Sequence, residues 1–290
     1  MTTAPTAAAA PRLLVLKIGG SLLSDKKVTG ETDFAAFDDF ADLVADLAGR
    51  FPGRLVLVTG GGALCHPVGL RIKRDRDDPY AAVALAEPAF TMRWEWTARL
   101  RARGVRAVPL QATAMISERP DGTTAAQVEV VRRLLAAHAV PVLSSDCVVT
   151  PAGTLRILSS DEAPAIALAA GPAPVRVVAL TDVPGILTGE DPTGPVLRRL
   201  DPDDLAAARP LFWATDAWDA TGAMAGKVEA LAEHARHGAE CVITRGDRKA
   251  ADLRHLLAPL SRWPKDVPYT LIARQAAPPV PPPVPTEDPT

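Results

Sequence analysis

Two short apolar runs, each ending in glycines, constrain this chain more than any other feature. Leu13–Lys17 (LLVLK) stops at Gly19-Gly20-Ser21, and Leu55–Val58 (LVLV) stops at Thr59-Gly60-Gly61-Gly62. Near-continuous apolar runs of this length are the pattern of parallel strands buried on both faces. Between them Phe34, Phe37, Phe40, Leu43, Val44 and Leu47 recur at helical spacing, with Asp33 placed to cap that helix and Gly53 following it. The segment therefore reads as strand, helix, strand, with a glycine loop after each strand. In open α/β sheets ligands bind outside the carboxyl ends of the parallel strands, where both loops fall.

The alternation continues, and it makes the expected fold class α/β throughout. A helix is expected over Ala86–Arg103, a strand at Val105–Leu110, a polar turn at Arg119–Thr123, a helix at Ala125–Ala137 and a strand at Val140–Leu143. A hairpin follows around Cys147–Ile157, turning at Pro151–Gly153, and Ser159-Ser160-Asp161 is placed to cap a helix over Glu162–Ala170. Strands at Val175–Leu180 and Glu240–Thr244 flank a loop-rich stretch and a helix at Met224–His237, and Ala250–Leu257 reads as a short helix. We expect residues 1–11 to be a disordered lead-in, a soft boundary near 170 to divide parts 12–170 and 171–275, and the proline-dominated tail 276–290 to be extended and solvated.

Composition removes several classes of function. With 32 basic and 34 acidic residues the net charge is −2, far from the basic footprint of a nucleic-acid binder. No apolar run approaches the length of a membrane span, and Cys65, Cys147 and Cys241 have no paired spacing, so a cytoplasmic protein without disulfides or a zinc site is expected.

Any anionic ligand must therefore be met locally, and lysine shows where. The chain has seven lysines against twenty-five arginines, and Lys17 and Lys227 both stand beside glycines. A lysine kept where arginine is the default cation suits a site that needs a compact point charge. Lys17-Ile18-Gly19-Gly20-Ser21 combines that charge with unobstructed backbone amides and a hydroxyl, which suits a polyphosphate, although the lysine precedes the glycines and the spacing is not that of a P-loop. Lys227 lies in the first turns of a helix entered through Thr221 and Gly222, at the helix end that already favours anions. Gly60, Gly61 and Gly62, with His66 beyond them, form a second loop suited to an acceptor anion. His138, His234, His237 and His255 fall at helix ends or on polar faces and read as solvated. Phe90, Met92, Trp94 and Trp96 either pack in the core or line the acceptor pocket.

Taken together, KIGGSL at 17–22, GGGALCH at 60–66, PVLSSD at 141–146, SSD at 159–161, LTDVPGI at 180–186, WDATGAM with Lys227 at 218–227, RGD at 245–247 and SRWP at 261–264 resemble the amino-acid kinase superfamily. Within it they resemble the branch of isopentenyl phosphate kinases and the fosfomycin-resistance kinase, the latter most closely. The resemblance implies a three-layer α/β/α sandwich with a mainly parallel central sheet, an N-terminal part for the phosphoacceptor, a C-terminal part for ATP, and a homodimer. It also implies that Lys17 and Lys227 bind the transferring phosphoryl group, that Asp161 orients them, and that Gly19, Gly20, Ser21 and Lys26 line the phosphates. By the same resemblance Thr221 and Gly222 contact the phosphates, Thr181, Asp182, Val183 and Gly185 lie beside the adenosine, and His66 holds the acceptor. Mg2+ would bridge the ATP phosphates without a protein carboxylate cluster, so no metal-ligating residue is expected. Cys65 and Ser145, the latter followed by Asp146, stand where these kinases have glycine, and each adds a side chain beside the acceptor.

The activity this implies is ATP-dependent phosphorylation of a small phosphonate or phosphate monoester to an anhydride plus ADP. Fosfomycin or a related phosphonate of antibiotic biosynthesis is the first acceptor to consider. An isopentenyl phosphate kinase is the alternative. A nucleotide-binding regulator without turnover is a second one, disfavoured by the intact set Lys17, Asp161 and Lys227.

Overall fold

The computed structural model describes residues 10–24, 31–75, 77–188, 194–208 and 223–274. Along the chain the strands are β1 (Leu13–Ile18), β2 (Leu55–Thr59), β3 (Ala107–Pro109), β4 (Ile116–Glu118), β5 (Thr124–Ala126), β6 (Val140–Ser144), β7 (Asp146–Val149), β8 (Leu155–Leu158), β9 (Val175–Thr181), β10 (Arg199–Leu200), β11 (Glu240–Arg245) and β12 (Tyr269–Ile272). The α-helices are α1 (Phe34–Arg50), α2 (Gly62–Arg74), α3 (Ala86–Ala102), α4 (Glu129–Ala136), α5 (Pro164–Ala170), α6 (Leu205–Ala208) and α7 (Ala223–Arg236).

Among the described residues eight strands make one sheet in the order β10-β12-β11-β9-β1-β2-β6-β3, parallel except where β12 runs against β11. β4, β5, β7 and β8 form a small separate sheet. The expected sandwich with a mainly parallel sheet is thus the observed architecture. The soft boundary near 170 falls within a continuous sheet, because β1 pairs with β9 from Leu13↔Val175 to Ile18↔Leu180.

Strand parity decides which side chains meet which layer. On one face Leu13 and Val15 pack with Val131 and Leu135 of α4, Ile166 of α5, and Val228 and Leu231 of α7. On the other, Leu14, Leu16 and Ile18 pack with Phe37 and Phe40 of α1, Met92 and Trp96 of α3, and Leu256 near the C-terminus. Each fully buried Leu or Phe contributes about 1.5 to 3 kcal/mol. Lys17 shares the parity of Leu13 and Val15, so the sheet aims it at the layer of α5 and α7.

Local chemistry agrees with several expected boundaries. Asp33 caps α1 by accepting from the Ala36 amide at 3.0 Å. Ser159 and Glu162 close a reciprocal turn ahead of α5, the Ser159 amide donating to Glu162 Oε2 at 2.7 Å and the Glu162 amide to Ser159 Oγ at 3.2 Å, although the helix expected from Glu162 begins only at Pro164. The 147–157 hairpin is β7 and β8, antiparallel, with Gly153 at φ 76° in its turn.

The structure corrects these expectations in some places and adds to them in others. Residues 124–126 pair as β5 with β4, so the helix expected from Ala125 begins only at Glu129. The stretch after Gly62 is a helix, α2, although it contains Pro67. β12 adds a strand beyond β11, and only Arg254–Leu257 of the expected 250–257 helix is helical, as a 3-10 turn. Trp263 of the SRWP motif packs on the buried Arg176 guanidinium, 5.5 Å from its ring centroid, at the end of the sheet opposite the glycine loops.

Candidate active site

The carboxyl ends of β1, β2, β6, β9 and β11 lie along one edge and carry the loops beginning at Gly19, Gly60, Ser145, Asp182 and Gly246. The first two loops touch backbone to backbone. A Cβ on Gly20 would lie 2.4 Å from the Gly62 amide nitrogen, and one on Gly60 would lie 2.2 Å from the Gly20 amide nitrogen. Glycine is required at both positions by this approach, which brings two sets of backbone amides to one place. Ser21 Oγ donates to Asp182 Oδ1 at 3.0 Å, joining the β1 and β9 loops, and Thr181 Oγ1 donates to the same oxygen at 3.0 Å. Gly185, at φ 153°, passes where a Cβ would fall 2.7 Å from Thr270 Oγ1, and Val183, two residues before it, is half-buried.

Lys17, Asp161 and Lys227 converge on the α5 and α7 face of this edge. The Lys17 ammonium donates to Asp161 Oδ1, and the Lys227 ammonium donates to the same oxygen at 3.4 Å. The three side chains are only 4%, 15% and 10% exposed, so two cations share one carboxylate in a site largely closed to water. Burial lowers the Lys17 pKa to about 7, with Asp161 pulling it up and Lys227 pushing it further down. Burial alone would raise Asp161, but the two ammonium groups bring it down to about 2. When both lysines are charged the triad holds one more cation than anion, an arrangement that favours an added anion.

A third contact reaches residue 161 from behind. His234, 5% exposed on α7, meets the Asp161 carbonyl oxygen through Nε2 at 2.8 Å. This overturns the reading of His234 as solvated, while His237 is exposed and His255 packs edge-on against Trp263 at 5.1 Å between centroids.

The acceptor side is built differently. Asp146 is fully buried and both its oxygens are taken: Oδ2 accepts from Arg93 Nη1 and the Ala112 amide, each at 3.1 Å, and Oδ1 from Thr113 Oγ1 at 2.7 Å and the Cys147 amide at 3.0 Å. Arg93 Nη1 also donates to Ser144 Oγ at 2.8 Å. Ser145 and Cys65 are buried beside this network and next to each other. Burial pushes the Cys65 thiol up to about 11, so it stays protonated. Cys65 fills the space under Gly61, where a Cβ would lie 2.3 Å from Cys65 Cβ. His66, one residue on, is exposed on α2. On α3, Met92 and Trp96 are core, with Trp96 Nε1 donating to Thr59 Oγ1 at 2.9 Å, while Phe90 and Trp94 stack on each other at the surface.

The structure thus brings together Lys17, Gly19, Gly20, Gly60–Gly62, Asp161 and Lys227, and places Ser21, Thr181 and Asp182 next to them. Lys26, Thr221 and Gly222 lie outside the described residues. Arg93 carries no signal in the sequence and His234 reads there as a solvated helix position, because each becomes informative only through a partner distant along the chain. Among the described residues no three His, Cys, Asp or Glu side chains gather to hold a metal ion.

A mainly parallel sandwich with two glycine loops in contact and two lysines on one buried carboxylate is an arrangement suited to a phosphate-bearing ligand. The Amino acid kinase family matches residues 12–245, and the chain belongs to that family. ATP- and Mg2+-dependent phosphotransfer is the general chemistry this membership implies. An isopentenyl phosphate kinase of Haloferax volcanii is 30% identical over 224 residues, 76% of this chain and 87% of the relative. Another, of Methanothermobacter thermautotrophicus, is 26% identical over 251 residues, 80% of this chain and 90% of the relative. A solved isopentenyl phosphate kinase in complex with substrate shares the fold at a TM-score of 0.65 and 18% identity, covering 90% of this chain and 100% of that one.

These relatives overturn the expectation that the chain is most like the fosfomycin kinase, and with it the phosphonate acceptor, fosfomycin resistance and antibiotic biosynthesis. The error has a physical origin. The motifs shared with both branches are of the kind that suits phosphate, and such motifs carry no information about the acceptor's carbon skeleton.

Proposed function

We propose that this chain is an isopentenyl phosphate kinase, transferring the γ-phosphoryl group of ATP to the phosphate of isopentenyl phosphate to give the diphosphate and ADP. The observation that carries the reading is the pair of buried lysines on Asp161, in a chain whose relatives bear that activity in their names. An oxygen of the acceptor phosphate attacks the γ-phosphorus as the bond to the β,γ-bridging oxygen breaks, and ADP leaves with that electron pair. The acceptor oxygen is already ionised near neutral pH, so the step needs charge neutralisation and in-line positioning more than a base. Lys17 and Lys227 supply the charge, and Asp161 holds both ammonium groups on the transfer line.

In this reading Gly19, Gly20, Ser21, Lys26, Thr221 and Gly222 line the nucleotide's phosphates, and Thr181, Asp182, Val183 and Gly185 lie beside its adenosine. Gly60, Gly61, Gly62 and His66 meet the acceptor phosphate, with Cys65 and Ser145 narrowing the pocket and Asp146 acting from behind it through Arg93. The part before about residue 170 takes the acceptor and the part after it takes ATP. We place the enzyme as a homodimer in the cytoplasm. The exposed Phe90–Trp94 stack and the three unpaired, buried cysteines support that placement, and no described helix is long and apolar enough to cross a membrane.

Phosphorus NMR of the protein with Mg-ATP and isopentenyl phosphate tests the reading. New diphosphate resonances, growing in step with ADP and absent with carbamate or UMP as acceptor, are expected. ADP formed with UMP or carbamate but not with isopentenyl phosphate would overturn it.

A further inference from the structure

We infer that His234 is a positioning residue for phosphoryl transfer: by donating Nε2–H to the Asp161 carbonyl, it fixes the turn from which the Asp161 carboxylate reaches Lys17 and Lys227. The inference rests on the triad being the transfer centre. Lys227 and His234 are seven residues apart, two turns along one face of α7. That helix therefore holds residue 161 at both ends, Lys227 on the carboxylate at 3.4 Å and His234 on the backbone carbonyl at 2.8 Å.

The local chain leaves that carbonyl in need of a donor. Pro164, three residues on, has no N–H, and the Ala165 amide, four residues on, donates instead to the Glu162 carbonyl at 3.0 Å. A buried carbonyl without a partner is costly, so the turn is stable in this form only while something else donates to it. A carbonyl can only accept, which fixes the proton on His234 Nε2. Burial holds the His234 pKa below its ordinary value against the Asp161 carbonyl and carboxylate, which raise it, with His237 and Glu233 of its own helix as the other charged neighbours. The imidazole thus works as a neutral donor and needs no charge of its own.

The test compares His234→Leu, His234→Met and His234→Gln in the full chain. Gln carries an amide N–H close to the Nε2 position, while Leu and Met carry no donor. Two readouts are taken: the NMR titration of the Lys17 side chain, assigned by its loss in Lys17→Met, and steady-state turnover with Mg-ATP and isopentenyl phosphate. With Gln, Lys17 titrates near pH 7 as in the parent protein. With Leu or Met its midpoint falls, because Asp161 is the group that raises it. In the apolar variants kcat falls about 10- to 100-fold while both KM values change less than about threefold, and Gln restores most of the loss.

An unchanged Lys17 midpoint and kcat in either apolar variant that folds, or a Gln variant as impaired as the apolar ones, would overturn the inference. So would loss of cooperative unfolding in Leu, Met and Gln alike, since that would make the role one of shape. If the parent protein does not turn over isopentenyl phosphate, the proposed function fails, and the Lys17 titration still decides the role of His234.

Discussion

Two buried carboxylates lie at the same sheet edge, one on each face, and the protein treats them in opposite ways. Asp146, on the α3 face, meets one guanidinium and has both oxygens saturated by Arg93, Ala112, Thr113 and Cys147. Asp161, on the α7 face, offers one oxygen to two ammonium groups and keeps its side chain 15% exposed, against 0% for Asp146. The first arrangement is closed at the carboxylate: the two charges balance and both oxygens are taken. The second is open, with two lysines on one carboxylate oxygen and burial holding the Lys17 pKa near 7, so that an added anion can draw a second charge into the site. The comparison teaches that burial of charge does not by itself mark a site, whereas burial with an unbalanced donor set does.

If the Asp146 pair is structural, Arg93→Leu should be the most damaging single change to stability. It leaves a fully buried carboxylate without its cation, a loss of about 3 to 5 kcal/mol. Urea unfolding measures it, and a loss below about 1 kcal/mol would remove the contrast with Asp161.

Lys17→Met and Lys227→Met should behave in reverse. Each should cut turnover by about 10³-fold, equivalent to about 4 kcal/mol in the transition state, with cooperative unfolding retained. Near-parental rates in both variants would break the assignment of the open triad to phosphoryl transfer.

Gly60→Ala is expected to lie between these two behaviours. Its Cβ would meet the Gly20 backbone, so the loops must separate, with about 1 to 3 kcal/mol lost in unfolding and turnover reduced as well. Trp96→Phe should cost least, about 1 kcal/mol, for the bond to Thr59, and should leave KM for both substrates unchanged.

Much of this was legible in the sequence wherever a local signal carried it. The runs at Leu13 and Leu55 and the Asp33 cap each depend on residues within a few positions, and the structure has them, while Ser159 closes a turn with Glu162 and the helix itself begins two residues later than expected, at Pro164. Lys17 and Lys227 stood out because arginine is the usual cation of this chain. What was missed had contrary or distant signals. α2 holds Pro67 and Gly69 and buries only Cys65, so it lacks a helical apolar stripe. β12 is a short strand following a proline-containing turn, and β5 is three residues whose partner, β4, is equally short. His234 and Arg93 look like ordinary polar positions of helices until Asp161 and Asp146, 73 and 53 residues away, are brought beside them. The acceptor's identity was the least legible, because apolar pocket walls resemble core.

The poised ionisation of Lys17 offers the most direct test of the open triad as a phosphate site. Free Lys17, with its pKa near 7, is largely neutral at pH 8, and phosphate oxygens beside it favour the ammonium form. Binding of a non-hydrolysable ATP analogue with Mg2+ at pH 8 should therefore take up a proton, read by titration calorimetry in two buffers of different ionisation enthalpy. The expected result is an uptake approaching one proton per site that disappears in Lys17→Met. Tight binding with no uptake, or uptake that persists in Lys17→Met, would contradict the placement of Lys17 at the phosphates.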